Sequence, residues 1–200
     1  MTTEAGGPWA QPVGGDVVAL AREGALAGRW TLDPGASRVE FRVRHFWGLI
    51  TVRGRFERVE GQGSAGPDGT GTGRLVADAA SLTTGNKQRD RHLRSADFFD
   101  TERHPRVVLT VRQATLTADG RLAAEGMLEA AGIAEPVSFT ADVVEASPDV
   151  VTLRAELTVD RSRYRMTWSP LRMAARHATG SVTARFTRTS GHPSANGSAI

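Results

Sequence analysis

The sequence predicts an all-β protein, an eight-stranded antiparallel barrel with a helical insertion between its third and fourth strands. Apolar and polar residues alternate along eight segments, which is the pattern of strands with one buried face. A polar run over residues 81–100 interrupts the alternation, and this run predicts the insertion. Closing eight antiparallel strands into a barrel removes both sheet edges and can leave an interior that holds a small ligand.

Small residues at the predicted inward positions distinguish a barrel with a cavity from a two-sheet sandwich. A sandwich would show the same alternation, but it would fill these positions with larger apolar side chains to reach normal packing density. The small inward residues are Gly54, Ala77, Ala79, Ala124, Gly126, Ala141, Ala155 and Ala184. They favour a barrel whose interior keeps a volume for another molecule.

The 200 residues suit one domain flanked by two short extensions. Residues 1–28 are predicted to form a mobile N-terminal extension with a short helix capped by Asp16, residues 29–189 the barrel, and residues 190–200 a disordered tail. The chain contains no cysteine, which excludes disulfides and thiolate metal sites. No apolar run suits a spanning helix or a secretory signal, so we expect a cytoplasmic protein.

The eight predicted strands are separated by turns, by a loop after the second strand and by the insertion after the third. They cover residues 38–45, 50–57, 75–79, 107–111, 122–128, 137–143, 151–159 and 182–187. Before them, the segment from Trp30 to Leu32 is predicted to be extended and to end in a turn. Residues 61–73 are predicted to be a flexible loop around Pro67-Asp68-Gly69.

The apolar faces of these strands predict which residues line a tunnel through the barrel. The predicted lining consists of Phe41, Val43, Val52, Phe56, Val107, Leu109, Phe139, Leu153 and Phe186. His45 and Trp47 are expected near a mouth of the tunnel, with a hydrogen-bonded structural role as the alternative for His45. Met166 and Trp168 alternate with Tyr164 after the seventh strand, a pattern that fits either an apolar mouth or ordinary core.

The polar run over residues 81–100 is predicted to form a helical lid over one mouth of the barrel. Its charged part is interpreted as a solvated helix face, comprising Asn86, Arg89, Asp90, Arg91 and Arg94. The run ends in Phe98-Phe99 between Asp97 and Asp100. We expect at least one ring to turn inward, as a core plug or a ligand contact, and the carboxylates to cap or anchor the helix.

The sequence predicts no catalytic residues, no metal site and no cofactor. It contains no nucleophile elbow, phosphate loop or zinc-protease motif, and its histidines lack the short paired spacings of zinc sites. His92 and Asp97 lie five residues apart, so they would not share one face of a helix. Two alternatives remain. One is a barrel enzyme with His45 or His92 as general base for a hydrophobic substrate, and the other is an interaction protein without a ligand.

Arginines concentrate at positions 38, 42, 44, 53, 55 and 58, most of them on the polar face of the first two predicted strands. The simplest interpretation is a solvated barrel exterior with cross-strand ion pairs. The more specific interpretation is contact with an anionic membrane, in which each arginine near the surface would contribute about 1 kcal/mol to the binding free energy. Nucleic-acid binding is not expected, because aromatic residues are not interleaved on this face and the net charge is only +3. We expect a monomer or a homodimer.

An ordered set of motifs resembles the YceI-like family of polyisoprenoid-binding, lipocalin-like proteins. The set begins with Leu32-Asp33-Pro34, includes the segment 84–100 as its most specific part, and ends with Asp160-Arg161-Ser162. This resemblance, over residues 30–188, implies a lipocalin-like barrel with a helical insertion around a long apolar tunnel. Ala36 stands where many members have His, and the turn after His45 is one residue longer, so headgroup recognition near a mouth would differ.

Taken with the alternation, the resemblance implies a non-enzymatic carrier or sequestering protein. Its ligand would be a polyisoprenoid, an isoprenoid quinone or a similar lipid. Burial of the apolar chain, at about 25 cal/mol per Å², would supply most of the affinity. A few polar groups at the mouth would set the orientation of the ligand.

Overall fold

Eleven strands and two α-helices make up the described part of the computed structural model, which comprises residues 14–45, 49–167 and 174–189. The helices are α1 (Gly14–Arg22) and α2 (Lys87–Arg94). The first six strands are β1 (Gly28–Leu32), β2 (Arg38–His45), β3 (Ile50–Phe56), β4 (Val59–Ala65), β5 (Thr70–Asp78) and β6 (Leu82–Thr83). The others are β7 (Arg106–Leu116), β8 (Arg121–Ala130), β9 (Ile133–Ala146), β10 (Val150–Asp160) and β11 (Ala174–Arg188). Short 3₁₀ turns follow β5 and β10, at Ala79–Ser81 and Arg161–Tyr164.

The strands form one closed antiparallel sheet. Its order is β1-β4-β5-β7-β8-β9-β10-β11, and β1 pairs with β11 to close the ring, while β2, β3 and β6 continue from β11. β1 and β2 lie end to end along the same edge of β11, with Leu32 opposite Phe186 and Arg38 opposite Thr183. β3 and β4 likewise act as one broken strand, and so do β5 and β6. The predicted eight-stranded antiparallel barrel is therefore confirmed.

The break between β1 and β2 follows from a turn around Pro34. The Asp33 carboxylate accepts hydrogen bonds from the backbone N–H groups of Gly35 and Ala36, at 2.9 and 3.3 Å. Proline has no N–H group to donate to a neighbouring strand, so regular strand pairing is interrupted at Pro34. The buried Ser37 hydroxyl then accepts a hydrogen bond from the Arg185 N–H at 3.0 Å, which ties the break to β11.

The prediction of a flexible loop over residues 61–73 is wrong, because most of this segment forms the β4–β5 hairpin. Only the turn is irregular, where the Asp68 carboxylate accepts hydrogen bonds from the Thr70 N–H and hydroxyl. Glycines take inward positions of this hairpin, so the sequence shows no alternation of large apolar residues. A side chain at Gly61 would meet the Arg74 carbonyl oxygen at 3.0 Å and the Leu32 side chain at 3.3 Å, so the close packing there favours glycine.

The two helices lie near opposite ends of the barrel. α1 buries Val17 and Ala21 near the β4–β5 hairpin, whereas α2 and the loop that follows it lie at the end where the β2–β3 hairpin projects. α1 begins at Gly14, so Asp16 lies inside the helix and is not the predicted cap. Neither helix in the described residues is long and apolar enough to cross a membrane. The predicted tail, residues 190–200, lies outside the described residues.

Candidate functional site

Two apolar cavities lie end to end inside the barrel, with volumes of about 210 and 170 Å³. Four apolar residues line both cavities and form a waist between them: Leu75, Leu109, Leu157 and Val182. They come from two pairs of neighbouring strands, β5–β7 and β10–β11, which β8 and β9 separate in the sheet. We call the pair of cavities the tunnel, the one beside α1 the α1 cavity, and the one beside α2 the α2 cavity.

The α1 cavity occupies the barrel end where β4 meets β5 and where β10 begins. Val17 and Ala21 of α1 lie on its wall together with Trp30. Small residues from four strands face it, namely Ala124, Ala141, Ala155 and Ala184. Alanine fills little volume, so the space between these strands stays open. Four predicted lining residues contribute to this wall: Leu109, Phe139, Leu153 and Phe186.

The α2 cavity is bounded by the β2–β3 hairpin on one side and by the insertion on the other. The predicted lining residues on its wall are Phe41, Val43, Phe56, Phe98, Phe99, Val107, Leu109 and Met166. Three of them form an aromatic cluster. The ring centroids of Phe41 and Phe56 lie 5.7 Å apart, those of Phe41 and Phe99 6.3 Å, and those of Phe56 and Phe99 5.8 Å. These contacts seat the insertion on the barrel wall.

Four predicted ligand contacts are not among the described lining residues of either cavity. Val52 is half-buried opposite Val43 and lines neither cavity. His45 ends β2, but its side chain lies outside the described part, as do Trp47 and Trp168. Three of the small residues predicted to face a cavity, Gly54, Ala79 and Gly126, also line neither one. Contact of any of these residues with a ligand stays a prediction.

The interpretation of the insertion as a solvated helix face is wrong for Asp90, Arg89 and Arg94. Asp90 is buried, and its carboxylate accepts hydrogen bonds from the Thr84 N–H at 2.8 Å, the Thr84 hydroxyl at 2.5 Å and the Thr83 hydroxyl at 3.2 Å. Arg89 donates from Nε to the Thr84 hydroxyl at 2.8 Å, and Arg94 donates to the Leu82 carbonyl at 2.5 Å. The polar pattern of the helix does not reveal these hydrogen-bond partners, because Leu82, Thr83 and Thr84 precede the helix in the sequence.

Electrostatics keep the Asp90 carboxylate ionised. Burial raises its pKa, but the hydrogen bonds from Thr84 and Thr83 and the charge of Arg94 together outweigh burial, so the pKa lies below its ordinary value. The cap of α2 is Asn86, whose side-chain oxygen accepts from the N–H groups of Gln88 and Arg89 at 3.1 and 3.0 Å. Asp97 and Asp100 were predicted to cap or anchor the helix. Both follow Arg94, the last residue of α2, so neither is its N-terminal cap.

His92 and Asp97 do meet, against the prediction from their spacing. α2 ends at Arg94, so the chain turns before Asp97, and Oδ2 of Asp97 lies 3.2 Å from Nε2 of His92. The His92 ring also stacks edge-on against Phe98 at 5.1 Å between centroids. Neither His92 nor Asp97 lines the tunnel. In the described residues, no group of three or more His, Asp or Glu side chains is arranged to hold a metal ion.

Few polar side chains belong to the α2 cavity wall: Glu40, Arg161 and Tyr164. Glu40 is exposed on the outer face of β2. The Tyr164 hydroxyl donates to the Leu128 carbonyl at 3.3 Å, and burial raises the pKa of this hydroxyl to about 12. Tyr164 and Met166 pack on Ala130 as part of a buried cluster that closes the cavity beside Phe98 and Phe99.

Solved structures from several bacteria share this architecture. BcnA from Burkholderia cenocepacia matches with a TM-score of 0.70 at 18% identity, covering 77% of this chain and 98% of BcnA. A polyisoprenoid-binding domain from Saccharophagus degradans, described as implicated in plant cell wall breakdown, matches with a TM-score of 0.65 at 15% identity, covering 80% and 98%. The YceI protein of Campylobacter jejuni matches with a TM-score of 0.64 at 17% identity, covering 70% and 87%. At these identities the likeness shows the fold.

Relatives by sequence carry the name UPF0312. One from Vibrio cholerae is 28% identical over 113 residues, which make up 56% of this chain and 59% of the relative. Another from Vibrio campbellii is 27% identical over 130 residues, or 63% of this chain and 68% of the relative. The alignment thus spans less than two thirds of the Vibrio cholerae protein.

The family model of the YceI-like domain matches residues 30–187, which include every barrel strand except the ends of β1 and β11. The chain therefore belongs to the YceI-like family.

Proposed function

We propose that this chain binds a long apolar or amphiphilic molecule in the tunnel and acts as its carrier or sequestering protein. Two apolar cavities inside one barrel, which share four apolar lining residues, carry the proposal. An apolar cavity with few polar groups gains affinity by removing apolar surface from water, at about 25 cal/mol per Å². Polyisoprenoids, isoprenoid quinones and similar lipids fit this chemistry.

The span of the two cavities suits a long apolar chain. Along β10, Val151 lies in the α1 cavity and Arg161 in the α2 cavity. This ten-residue step corresponds to roughly 33 Å along the strand, and to about 25 Å along the axis of a barrel with the usual strand tilt.

Two further observations support this assignment. The Saccharophagus degradans domain of the same architecture is named as polyisoprenoid-binding, and other members of the family share the fold. In addition, the one His–Asp contact found among the described residues, between His92 and Asp97, lies away from the tunnel wall. A general base must reach its substrate within hydrogen-bond distance, so this pair does not favour the enzyme hypothesis.

Organic extraction of the purified protein, followed by mass spectrometry, tests the proposal. We expect one intact apolar or amphiphilic lipid per chain. Phe139 and Leu153 face the α1 cavity, so replacing both by tryptophan should fill it and reduce lipid retention, whereas Leu116→Met, at the edge of the same cavity, should retain lipid. A product of turnover would favour the enzyme, and a protein free of lipid would favour the interaction protein.

We also propose that the β2–β3 hairpin contacts an anionic membrane. Leu49 and Ile50 at its tip are 85% and 51% exposed, and Arg44 and Arg53 flank them on the outer face. Val43, two residues before the end of β2, lines the α2 cavity, so the tip lies beside the mouth. Apolar residues that enter the lipid and arginines that meet the headgroups would place this mouth at the membrane surface.

A further inference from the structure

Arg161 is the cationic side chain on the wall of the α2 cavity, and it differs from the other arginines of the protein's outer surface. It follows the inward-facing residues Leu157 and Val159 of β10 with the same spacing, so it continues their face beyond the end of the strand. The residue is half-buried. The Arg161 side chain therefore lies at the α2 end of the tunnel, at the boundary between the apolar wall and solvent.

The Arg161 guanidinium donates one hydrogen bond to the backbone, and, within the part of the chain that the structure describes, its other N–H groups are available to a ligand. Nε of Arg161 donates to the Ala175 carbonyl at 3.1 Å, which restrains the orientation of the group. Among the described residues, no carboxylate oxygen lies within 4.0 Å of the guanidinium. A planar guanidinium offers five N–H donors in a fork that matches oxyanions.

Two neighbouring carboxylates are committed to other partners, and Glu40, the acidic residue on the same cavity wall, is exposed on the outer face of β2. Asp160 precedes Arg161, but its Oδ2 pairs with Arg176 at 2.6 Å and its Oδ1 accepts from Ser162. Glu135 pairs with Arg163 at 3.1 Å. Burial lowers the pKa of Arg161, and the charge of Asp160 only partly opposes this effect. A positive charge is thus partly removed from water without a direct ion pair, and an anionic ligand would offset that cost.

We propose that Arg161 binds an anionic headgroup, a carboxylate or a phosphate, at the α2 end of a ligand whose apolar chain fills the tunnel. This inference rests on the proposed function and specifies the class of ligand. The ligand enters with its apolar chain toward the waist and keeps its headgroup beside Arg161. A bidentate contact of guanidinium with an oxyanion gives direction as well as affinity.

Binding of two matched probe pairs tests the proposal. Retinoic acid and retinol differ in the carboxylate, and farnesyl phosphate and farnesol differ in the phosphate. We expect the wild-type protein to bind at least one anionic probe about tenfold more tightly than its alcohol, since a hydrogen bond to a charged group carries such a factor. The pair with the larger ratio distinguishes a carboxylate from a phosphate ligand.

Three variants assign the preference to Arg161. Arg161→Met should lose the tenfold preference and keep the affinity for the alcohols, whereas Arg161→Lys should keep part of the preference because it keeps the charge. Arg165→Gln is the matched control, since Arg165 directly follows the same 3₁₀ turn but is exposed and lines neither cavity. It should behave as wild type.

The outcomes separate this proposal from the proposed function. Equal binding of acids and alcohols by the wild-type protein would overturn the role of Arg161 and leave the tunnel intact. Equal loss of acids and alcohols in Arg161→Met, with a folded protein by circular dichroism, would assign Arg161 a structural role instead. Failure of the wild-type protein to bind any of the four probes would contradict the proposed function itself.

Discussion

Replacement of Asp90 by alanine tests how the insertion is held on the barrel. The change removes the acceptor of three hydrogen bonds, from the Thr84 N–H, the Thr84 hydroxyl and the Thr83 hydroxyl. The hydroxyls can rotate to other acceptors, whereas the backbone N–H cannot. A hydrogen bond to a charged group contributes about 1.5–3 kcal/mol, and a buried donor without an acceptor costs about 1–3 kcal/mol. We therefore expect the free energy of unfolding to fall by about 3 kcal/mol.

Urea and thermal unfolding measure this loss. For a chain of this length, 1 kcal/mol corresponds to about 2–4 °C, so Asp90→Ala should lower Tm by about 6–12 °C. The control is Asp142→Ala, which removes an exposed carboxylate paired with Arg121 at 2.7 Å and should cost at most about 1 kcal/mol. If both variants lost the same small amount, the buried network would not hold the insertion.

The pH dependence of Asp90→Asn gives a second readout. The pKa of Asp90 in the folded protein lies below its ordinary value, about 3.9 in an unfolded chain. The ionised carboxylate therefore stabilises the fold above that pH, and its contribution is lost as pH falls through the lowered pKa. The stability difference between wild type and Asp90→Asn should be largest near neutral pH and shrink below about pH 4. A difference that stays constant down to pH 2 would contradict the ionised state.

Three further variants or titrations probe the barrel wall, the tyrosine and the hairpin tip. Gly126→Ala would drive a methyl group into the Thr110 carbonyl oxygen and should lower the free energy of unfolding in urea by about 1–3 kcal/mol. The control Gly180→Ala, whose nearest atoms lie at 3.9 Å, should lower it much less. Equal losses in the two variants would refute the close approach of Gly126 to Thr110. Tyr164, the single tyrosine, should titrate near pH 12 by ultraviolet absorbance in the folded protein and near pH 10 in denaturant. Its contribution to stability is complete below about pH 10 and declines as pH rises through 12, and a folded-state value near 10 would contradict its burial. Leu49→Asp should reduce co-sedimentation with vesicles of phosphatidylglycerol and phosphatidylcholine, and wild-type binding that ignores anionic lipid content would exclude the membrane contact.

The alternation of large apolar residues was enough to predict most of the barrel. Phe139, Leu153 and Phe186 each stand at an inward position of a strand, and each lies on the wall of the α1 cavity. The period of two in a strand decides which face a residue takes, so such assignments need no knowledge of the neighbouring strand.

The parts that the sequence did not predict depend on contacts between distant segments. The β4–β5 hairpin carries glycine at inward positions, so its pairing leaves no apolar pattern in the sequence. The burial of Asp90 depends on Thr83 and Thr84, which lie before the helix and fold back onto it. α1 was predicted as part of a mobile extension, yet Val17 is 2% exposed because the helix lies at the mouth of the α1 cavity.

A crystal structure with 16-bromohexadecanoic acid tests the central claim, that one apolar chain crosses the waist between the two cavities. From Arg161 to Leu157 the strand advances roughly 13 Å, so a chain anchored at Arg161 should reach past the waist. We expect an anomalous bromine peak among Leu153, Ala155 and Phe139, with continuous density through the waist and the carboxylate beside Arg161. A bromine peak on the outer surface, or one confined to the α2 cavity, would contradict a continuous tunnel.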